Sequence, residues 1–522
     1  MSNPRTLLYS RLKRFGTGLF VFCLALLFME GVSRILAATV FAKKLSKSDL
    51  RTKIEKTYIQ PVSERKNDSL FVFAYGGSTI AGFPLPKVGV VSQLDYQLHH
   101  VFKDKKNIGV YNYGWSGYNS TMIRYMMIST INAKPDVLIV YCCQNEFVSP
   151  DIDPIWLQKT IGIWRDRSAL VKLLLLTTTN EENGVYQEEP IDRKRWPYRK
   201  LPLYYELKMK IFKRNVDAMV SLAREHHTPL IFSTAASNIG EWPPAQKQVT
   251  TLSITQDYQL DADNIRSFSK NNKLTEAENI VSIYLKKDPT NASFIYFQAK
   301  IEAKRGNWEK AKSLFEQAKE LDLLPFRATN DVNNYIRSYH DGKTVWVVDS
   351  EKILAEHSPN NLPGYNFFID NVHPNIPGSY RIATSLFETI KNNALVKKDW
   401  WSTDIDPLYT QDEFLDRIAL SKEDQLKLAL IPARYCLKNP FFNYECVSRY
   451  LDQVKAIDPS YWEITALESV MAYLQRDYTK ARSLYTQLTS SKNYTLTLED
   501  KINVPYFLLL EKEFNSKDRE KS

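Results

Sequence analysis

Ser78 stands where the apolar stretch Leu70–Tyr75 breaks off at Gly76-Gly77 and the chain turns helix-like, in FVFAYGGSTIAGFPLP (Phe71–Pro86). A glycine pair permits a sharp turn with backbone angles that other residues resist. A serine there sits at a helix start, where free backbone N–H groups favour developing negative charge. Its hydroxyl becomes a good nucleophile only with a base beside it. Asp370 and His373, in FIDNVHPNIPGS (Phe368–Ser379), supply a candidate base: the imidazole can take the serine proton while the carboxylate orients the ring. Gly117, in NYGWSGYNS (Asn112–Ser120), can bring a backbone N–H close to an oxyanion. Asn145, in IVYCCQNEF (Ile139–Phe147), can add a side-chain amide, and the N–H of Ser78 itself makes a third donor.

Each residue also has a structural alternative. Ser78 can simply cap a helix. Gly117 can mark a plain turn, Asn145 can cap the end of a strand, and a lone histidine is commonly structural. A phosphate-binding glycine turn is a further option for GGST, but the GxxxxGK spacing is missing. An Asp-x-x-His pair on a proline-flanked loop is harder to explain as packing alone.

These residues need a scaffold that brings them to one edge. Short apolar runs at Leu70–Tyr75, Gly109–Tyr113, Val137–Cys143, Pro229–Thr234 and Val345–Val348 alternate with helical stretches. Such nearly unbroken runs suit parallel strands buried on both faces, hence a three-layer α/β domain. Ligand sites in open α/β sheets gather at the C-terminal edge of the strands. The alternation is interrupted between Thr255 and Lys319 by helical sequence. Ala277 and Ala311 there are 34 residues apart, with Asp288-Pro289 between them, and Gly306, Trp308, Phe315 and Ala318 follow. The spacing is that of a tetratricopeptide helix pair, and the same phase recurs at Val447, Asp458-Pro459 and Ala481. Generic helical hairpins are the alternative. One and a half repeats cannot stand alone, so the insert is expected to lean on the α/β domain. The predicted organisation is an anchor or signal peptide at 1–45, a linker at 46–67 and the α/β domain at 68–254. A helical insert at 255–325, the rest of the α/β domain at 326–392 and a separate helical domain at 396–522 complete it.

The N-terminus carries Arg5, Arg11, Lys13 and Arg14 ahead of the apolar stretch Phe15–Met29, followed by Ile35–Ala42. Positive charge stays cytoplasmic, so the bulk of the chain is expected to be extracytoplasmic, held by a single-pass anchor in the inner membrane. Each apolar piece is shorter than the ~20 residues that span a bilayer, and the two together suit a tilted span. A signal peptide cleaved after Ala42 is the alternative. The net charge of +10 is spread along the chain without a Lys/Arg block or nucleic-acid motif, so no nucleic-acid partner is expected. Of the 5 cysteines, Cys142 and Cys143 adjoin on a predicted strand and are poor partners for each other. Cys436 and Cys446 can pair if exported, although spacing alone does not establish it. No Cys/His zinc spacing occurs, and the expected chemistry needs neither metal nor cofactor.

The four motifs, in this order, resemble the SGNH/GDSL hydrolase superfamily. GGST matches its first block, with Ser78 as nucleophile and Gly77 in place of the usual aspartate. NYGWSGYNS matches the second, with Gly117 as oxyanion glycine. Cys143-Gln144-Asn145-Glu146 matches the third, with Asn145 carried over and Cys143 where a glycine is usual. Asp370, His373 and Pro374 match the last. The resemblance implies a flavodoxin-like α/β/α fold, a Ser78–His373–Asp370 triad, and esterase or acylhydrolase activity on acyl esters, acetyl esters among them. More narrowly, the chain is similar to membrane-anchored bacterial members carrying tetratricopeptide repeats. STAASNIGEWPP (Ser233–Pro244) and LDLLPFRATNDVNNYIR (Leu321–Arg337) look like segments of that group, which makes Arg327 a candidate substrate-facing cation; a surface salt bridge is the alternative. The expected substrate is a glycan or lipid ester. Transfer of the acyl group to a polysaccharide hydroxyl through the same site is the first alternative. A membrane-tethered scaffold, binding a protein partner through its helical repeats, is the second.

Overall fold

In the computed structural model, residues 69–102, 107–147, 202–245, 256–396, 401, 409–437, 443–490, 510 and 514 are described. Five parallel strands form one sheet: β1 (Ser69–Gly76), β2 (Asn107–Gly114), β3 (Val137–Tyr141), β4 (Leu230–Ser233) and β5 (Val345–Val348). Their spatial order is β2-β1-β3-β4-β5. Every residue of β1 and β3 is buried, as a sheet covered on both faces requires. Gly76 pairs with Gly114 on one side and Tyr141 on the other, so three strands end level at one edge. The chain leaves β1 toward β2 and returns past it to β3. A crevice opens where the direction of winding reverses in this way.

Helix α1 (Ser78–Ala81) is a single turn directly after β1, and α2 (Val90–Val101) leads back toward β2. Between β2 and β3 lies α3 (Ser120–Thr130), and α4 (Pro202–Glu225) precedes β4. Helices α5 (Gln256–Lys270), α6 (Leu274–Lys287), α7 (Ala292–Lys304), α8 (Trp308–Glu320) and α9 (Asn330–Arg337) separate β4 from β5. After β5 come α10 (Ser350–Glu356) and α11 (Ile376–Asn392). Helix α2 packs on α11, and α3 packs on α4. Right-handed crossovers in opposite directions put these two pairs on opposite faces of the sheet. The insert has its own cores, one of Ile265, Ala277, Val281, Phe294 and Ile301, the other of Ile295, Ala299, Ala311, Phe315 and Ala318. Ile239, from the loop after β4, completes the second core, so the insert does lean on the α/β body.

Two features depart from the sequence reading. The third apolar run is predicted to stay extended through Cys143, but β3 ends at Tyr141. Cys143 has a φ of 93°, a left-handed backbone that turns the chain out of the sheet. The C-terminal helices, expected as a separate domain, dock directly on the α/β body. They are α12 (Gln411–Ile418), α13 (Lys422–Leu437), α14 (Tyr444–Ile457), α15 (Trp462–Leu474) and α16 (Tyr478–Thr489). Tyr409, just ahead of them, is buried edge-on against Tyr96 at 4.6 Å and donates its hydroxyl to the Gln93 carbonyl at 3.1 Å. Lys87, after α1, forms an ion pair with Asp424 of α13. Burial of aromatic surface, which an isolated helical array would leave wet, accounts for the docking. Cys436 and Cys446 are joined by a disulfide between α13 and α14. Among the described residues no helix is long and apolar enough to cross a membrane. The expected anchor and linker lie outside the described residues.

Candidate active site

Ser78 is the first residue of α1, and the N-cap position belongs to Gly77, so serine is not the cap. Its Oγ lies 2.6 Å from His373 Nε2. His373 Nδ1 lies 2.6 Å from Asp370 Oδ2. A carboxylate only accepts, so Nδ1 carries the proton and donates, and Nε2 is left to accept from the serine hydroxyl. Asp370 is fully buried, and its Oδ1 accepts the backbone N–H groups of Val372 at 2.9 Å and His373 at 2.8 Å. The carboxylate thus orients the ring while its own loop holds it. Tyr450 of α14 donates its hydroxyl to the Ile369 carbonyl at 2.8 Å, immediately before Asp370.

Asn145 meets the nucleophile turn from the end of β3. Its Nδ2 donates to the Tyr118 carbonyl at 3.0 Å, which leaves a second N–H on the same nitrogen. A Cβ built on Gly77 would lie only 2.8 Å from that nitrogen. Only glycine therefore fits at 77 with Asn145 in this position. Gly117, next to Tyr118, is exposed with a φ of 81°. The loop that carries it is tied to the nucleophile strand by the Trp115 N–H, which donates to the Gly76 carbonyl at 3.1 Å.

Several residues without an assigned role in the sequence reading hold these groups in place. Glu146 is buried and accepts from Ser120 N at 2.7 Å and Ser120 Oγ at 2.8 Å, pinning the Gly117 loop to the Asn145 loop. Burial pushes its carboxyl above the usual range, opposed by the Ser120 hydrogen bonds and the charge of Lys208. Asn112 donates to the Ile80 carbonyl at 2.7 Å and so fixes α1 against β2. Gln144 donates to the Ala236 carbonyl at 2.7 Å and accepts from Ala328 N at 3.1 Å. Glu146, Gln144 and Asn112 lie within the quoted motifs, but nothing in those motifs assigns their partners. The Cys143 thiol is buried, which raises its pKa well above the ordinary value, so the group stays protonated and inert.

Arg327 is placed differently from its expected role. It is 3% exposed, and Nη1 donates to the carbonyls of Asn238 at 3.2 Å and Trp242 at 2.9 Å. Asn238 N in turn donates to the Asn371 carbonyl at 2.9 Å, beside Asp370. Arg327 thus braces the loop behind Asp370 and His373, neither facing solvent nor forming a surface ion pair. The apolar neighbours in LLPFRA were the available sign of burial.

No family model matches the sequence, and no curated protein matches it. Among solved structures, the chain is similar to a member of the lipolytic protein G-D-S-L family from Veillonella parvula. That likeness has 12% identity, covers 62% of this chain and 99% of the other, and has a TM-score of 0.29. It is also similar to an acetylxylan esterase from Geobacillus stearothermophilus, at 11% identity over 65% of this chain and 100% of the other, with a TM-score of 0.27.

Proposed function

We propose that the protein is a serine ester hydrolase acting on acyl esters, acetyl esters among them, outside the cytoplasm. The observation that carries the reading is the unbroken hydrogen-bond chain from Ser78 through His373 to Asp370, at 2.6 Å for each link. Ser78 Oγ attacks the acyl carbonyl carbon as His373 Nε2 takes the hydroxyl proton, and Asp370 stabilises the imidazolium that forms. The carbonyl oxygen becomes negative and is met by the N–H groups of Ser78 and Gly117 and the second amide N–H of Asn145. Collapse expels the alcohol, which takes the proton from His373, and leaves an acyl-serine. Water, deprotonated by the same imidazole, then releases the acid.

Attack by an acceptor hydroxyl in place of water turns the same cycle into acyl transfer. The Cys436–Cys446 bond supports an extracytoplasmic location, because disulfides persist in oxidising compartments. The inner-membrane anchor, the glycan or lipid nature of the ester and a partner for the helical repeats belong to the same proposal and rest on the sequence.

The test uses the full chain in detergent, with p-nitrophenyl acetate, an acetylated glycan and a covalent serine probe, beside Ser78→Ala. Turnover and labelling at Ser78, both lost in the variant, are expected. Labelled acyl-enzyme with slow hydrolysis identifies a transferase awaiting its acceptor. A folded protein with neither label nor turnover overturns the esterase reading in favour of the scaffold.

A further inference from the structure

The triad histidine is flanked by aromatic rings from two distant parts of the chain. Phe83, just after α1, lies against His373 with ring centroids 4.3 Å apart. Tyr435, in the last turn of α13, stands edge-on to His373 at 5.8 Å and lies 5.8 Å from Phe83. Both rings are half-buried, so each keeps an open portion. The helix that brings Tyr435 is held at both ends. Asp424 in its first turn pairs with Lys87, and Cys436, next to Tyr435, is bonded to Cys446 of α14. Tyr450 of α14 bonds to the carbonyl before Asp370, so the arm bridges the nucleophile loop and the Asp-His loop. Such tethering at both ends suits a wall that must keep its shape.

The chemistry says which part of a substrate meets this wall. In the tetrahedral species on Ser78, the oxyanion turns toward Gly117 and Asn145. The departing alcohol oxygen must lie near His373 Nε2, which returns the proton to it. Groups packed around the imidazole therefore face the alcohol and not the oxyanion. Two tilted rings present apolar faces and edges, and a pyranose offers a matching face of C–H bonds. We propose that Tyr435, with Phe83, forms the alcohol-side wall of the site and selects esters whose alcohol is a sugar ring. The C-terminal arm is then part of the substrate site. This inference rests on the esterase reading.

The experiment compares two acetate esters that differ only in the alcohol, ethyl acetate and an acetylated oligosaccharide, on the full chain. Tyr435→Ala is expected to lower the ratio of kcat/KM for the sugar ester to kcat/KM for ethyl acetate roughly tenfold, mainly through KM for the sugar ester. Tyr435→Phe keeps the ring and is expected to keep that ratio. An equal fall on both esters, or a shifted pH profile on ethyl acetate, overturns the proposal and makes Tyr435 a support for His373. An unchanged ratio in Tyr435→Ala overturns it also. Wild-type protein inactive on both esters defeats the esterase reading itself, a result distinct from either.

Discussion

Cys143 holds a backbone conformation that suits glycine, and the cost can be isolated by two substitutions. Cys143→Gly and Cys143→Ala both delete a thiol that is 2% exposed, and glycine also gives up the buried β-carbon, worth about 0.8 kcal/mol in favour of alanine. The difference between them reports the φ of 93°. A single L-residue held in the left-handed region costs about 1–3 kcal/mol, which alanine keeps and glycine sheds. Against this, glycine gives the unfolded chain more freedom, worth roughly 0.4–1 kcal/mol in favour of alanine. At central values, strain of about 2 kcal/mol exceeds these two opposing contributions together, and Cys143→Gly is expected to be more stable than Cys143→Ala by about 0.5 kcal/mol. In a helix or strand interior the order is the reverse. Urea unfolding of the full chain, followed by tryptophan fluorescence, measures the difference, with equal slopes showing that the midpoints compare stability. Because Asn145 lies two residues on, Cys143→Gly should also leave turnover near that of the wild type. An alanine variant as stable as the glycine variant, or more so, would refute the reasoning.

Two other outcomes follow from the geometry. Asn145→Ala should lower kcat by about 10²–10³ on p-nitrophenyl acetate with KM nearly unchanged, since the amide acts on charge that develops in the transition state. Burial would raise the Asp341 carboxyl, but the N–H groups of Lys343, Thr344 and Val345 and the Arg224 guanidinium outweigh it and hold the pKa well below the usual range. A depressed carboxylate stabilises the fold above its unfolded value and loses that contribution as pH falls through its folded one. Asp341→Ala should therefore cost about 1–2 kcal/mol at neutral pH, with the gap to wild type narrowing below about pH 4 in denaturation series.

The strands were legible because parallel strands covered on both faces must be apolar along their length, and Leu70–Tyr75 and Val345–Val348 are. The grouping of Ser78, His373 and Asp370 was legible because these residues sit in short motifs whose order along the chain is unusual, and the structure brings the three into hydrogen-bond contact. Other features depend on partners that a local pattern does not contain. Arg327 is buried because carbonyls from the loop at 238–242 fold over it, and no spacing in its own segment encodes them. Helix α13 has apolar and polar residues that read equally well as a free hairpin. Tyr435 meets His373 only because α13 is tied to loops far away in sequence. The crowding at Gly77 is of the same kind: Asn145 Nδ2 occupies the space a Cβ would need, and the two residues are far apart in sequence.

The distance along the chain between Ser78 and His373 also has a meaning in time. They are 295 residues apart, with the helical insert between them. At about 5–20 residues per second, roughly 15–60 seconds separate the synthesis of Ser78 from that of His373. Throughout that interval Ser78 is an ordinary alcohol. Tyr435 is made later still, so the ring that stands edge-on to His373 is added only after Ser78, Asp370 and His373 are all present. A fragment released just before residue 373 would carry the serine and all five strands yet lack the proposed base. On the proposed mechanism, reactivity is thus a property that arrives only after most of the chain has been made.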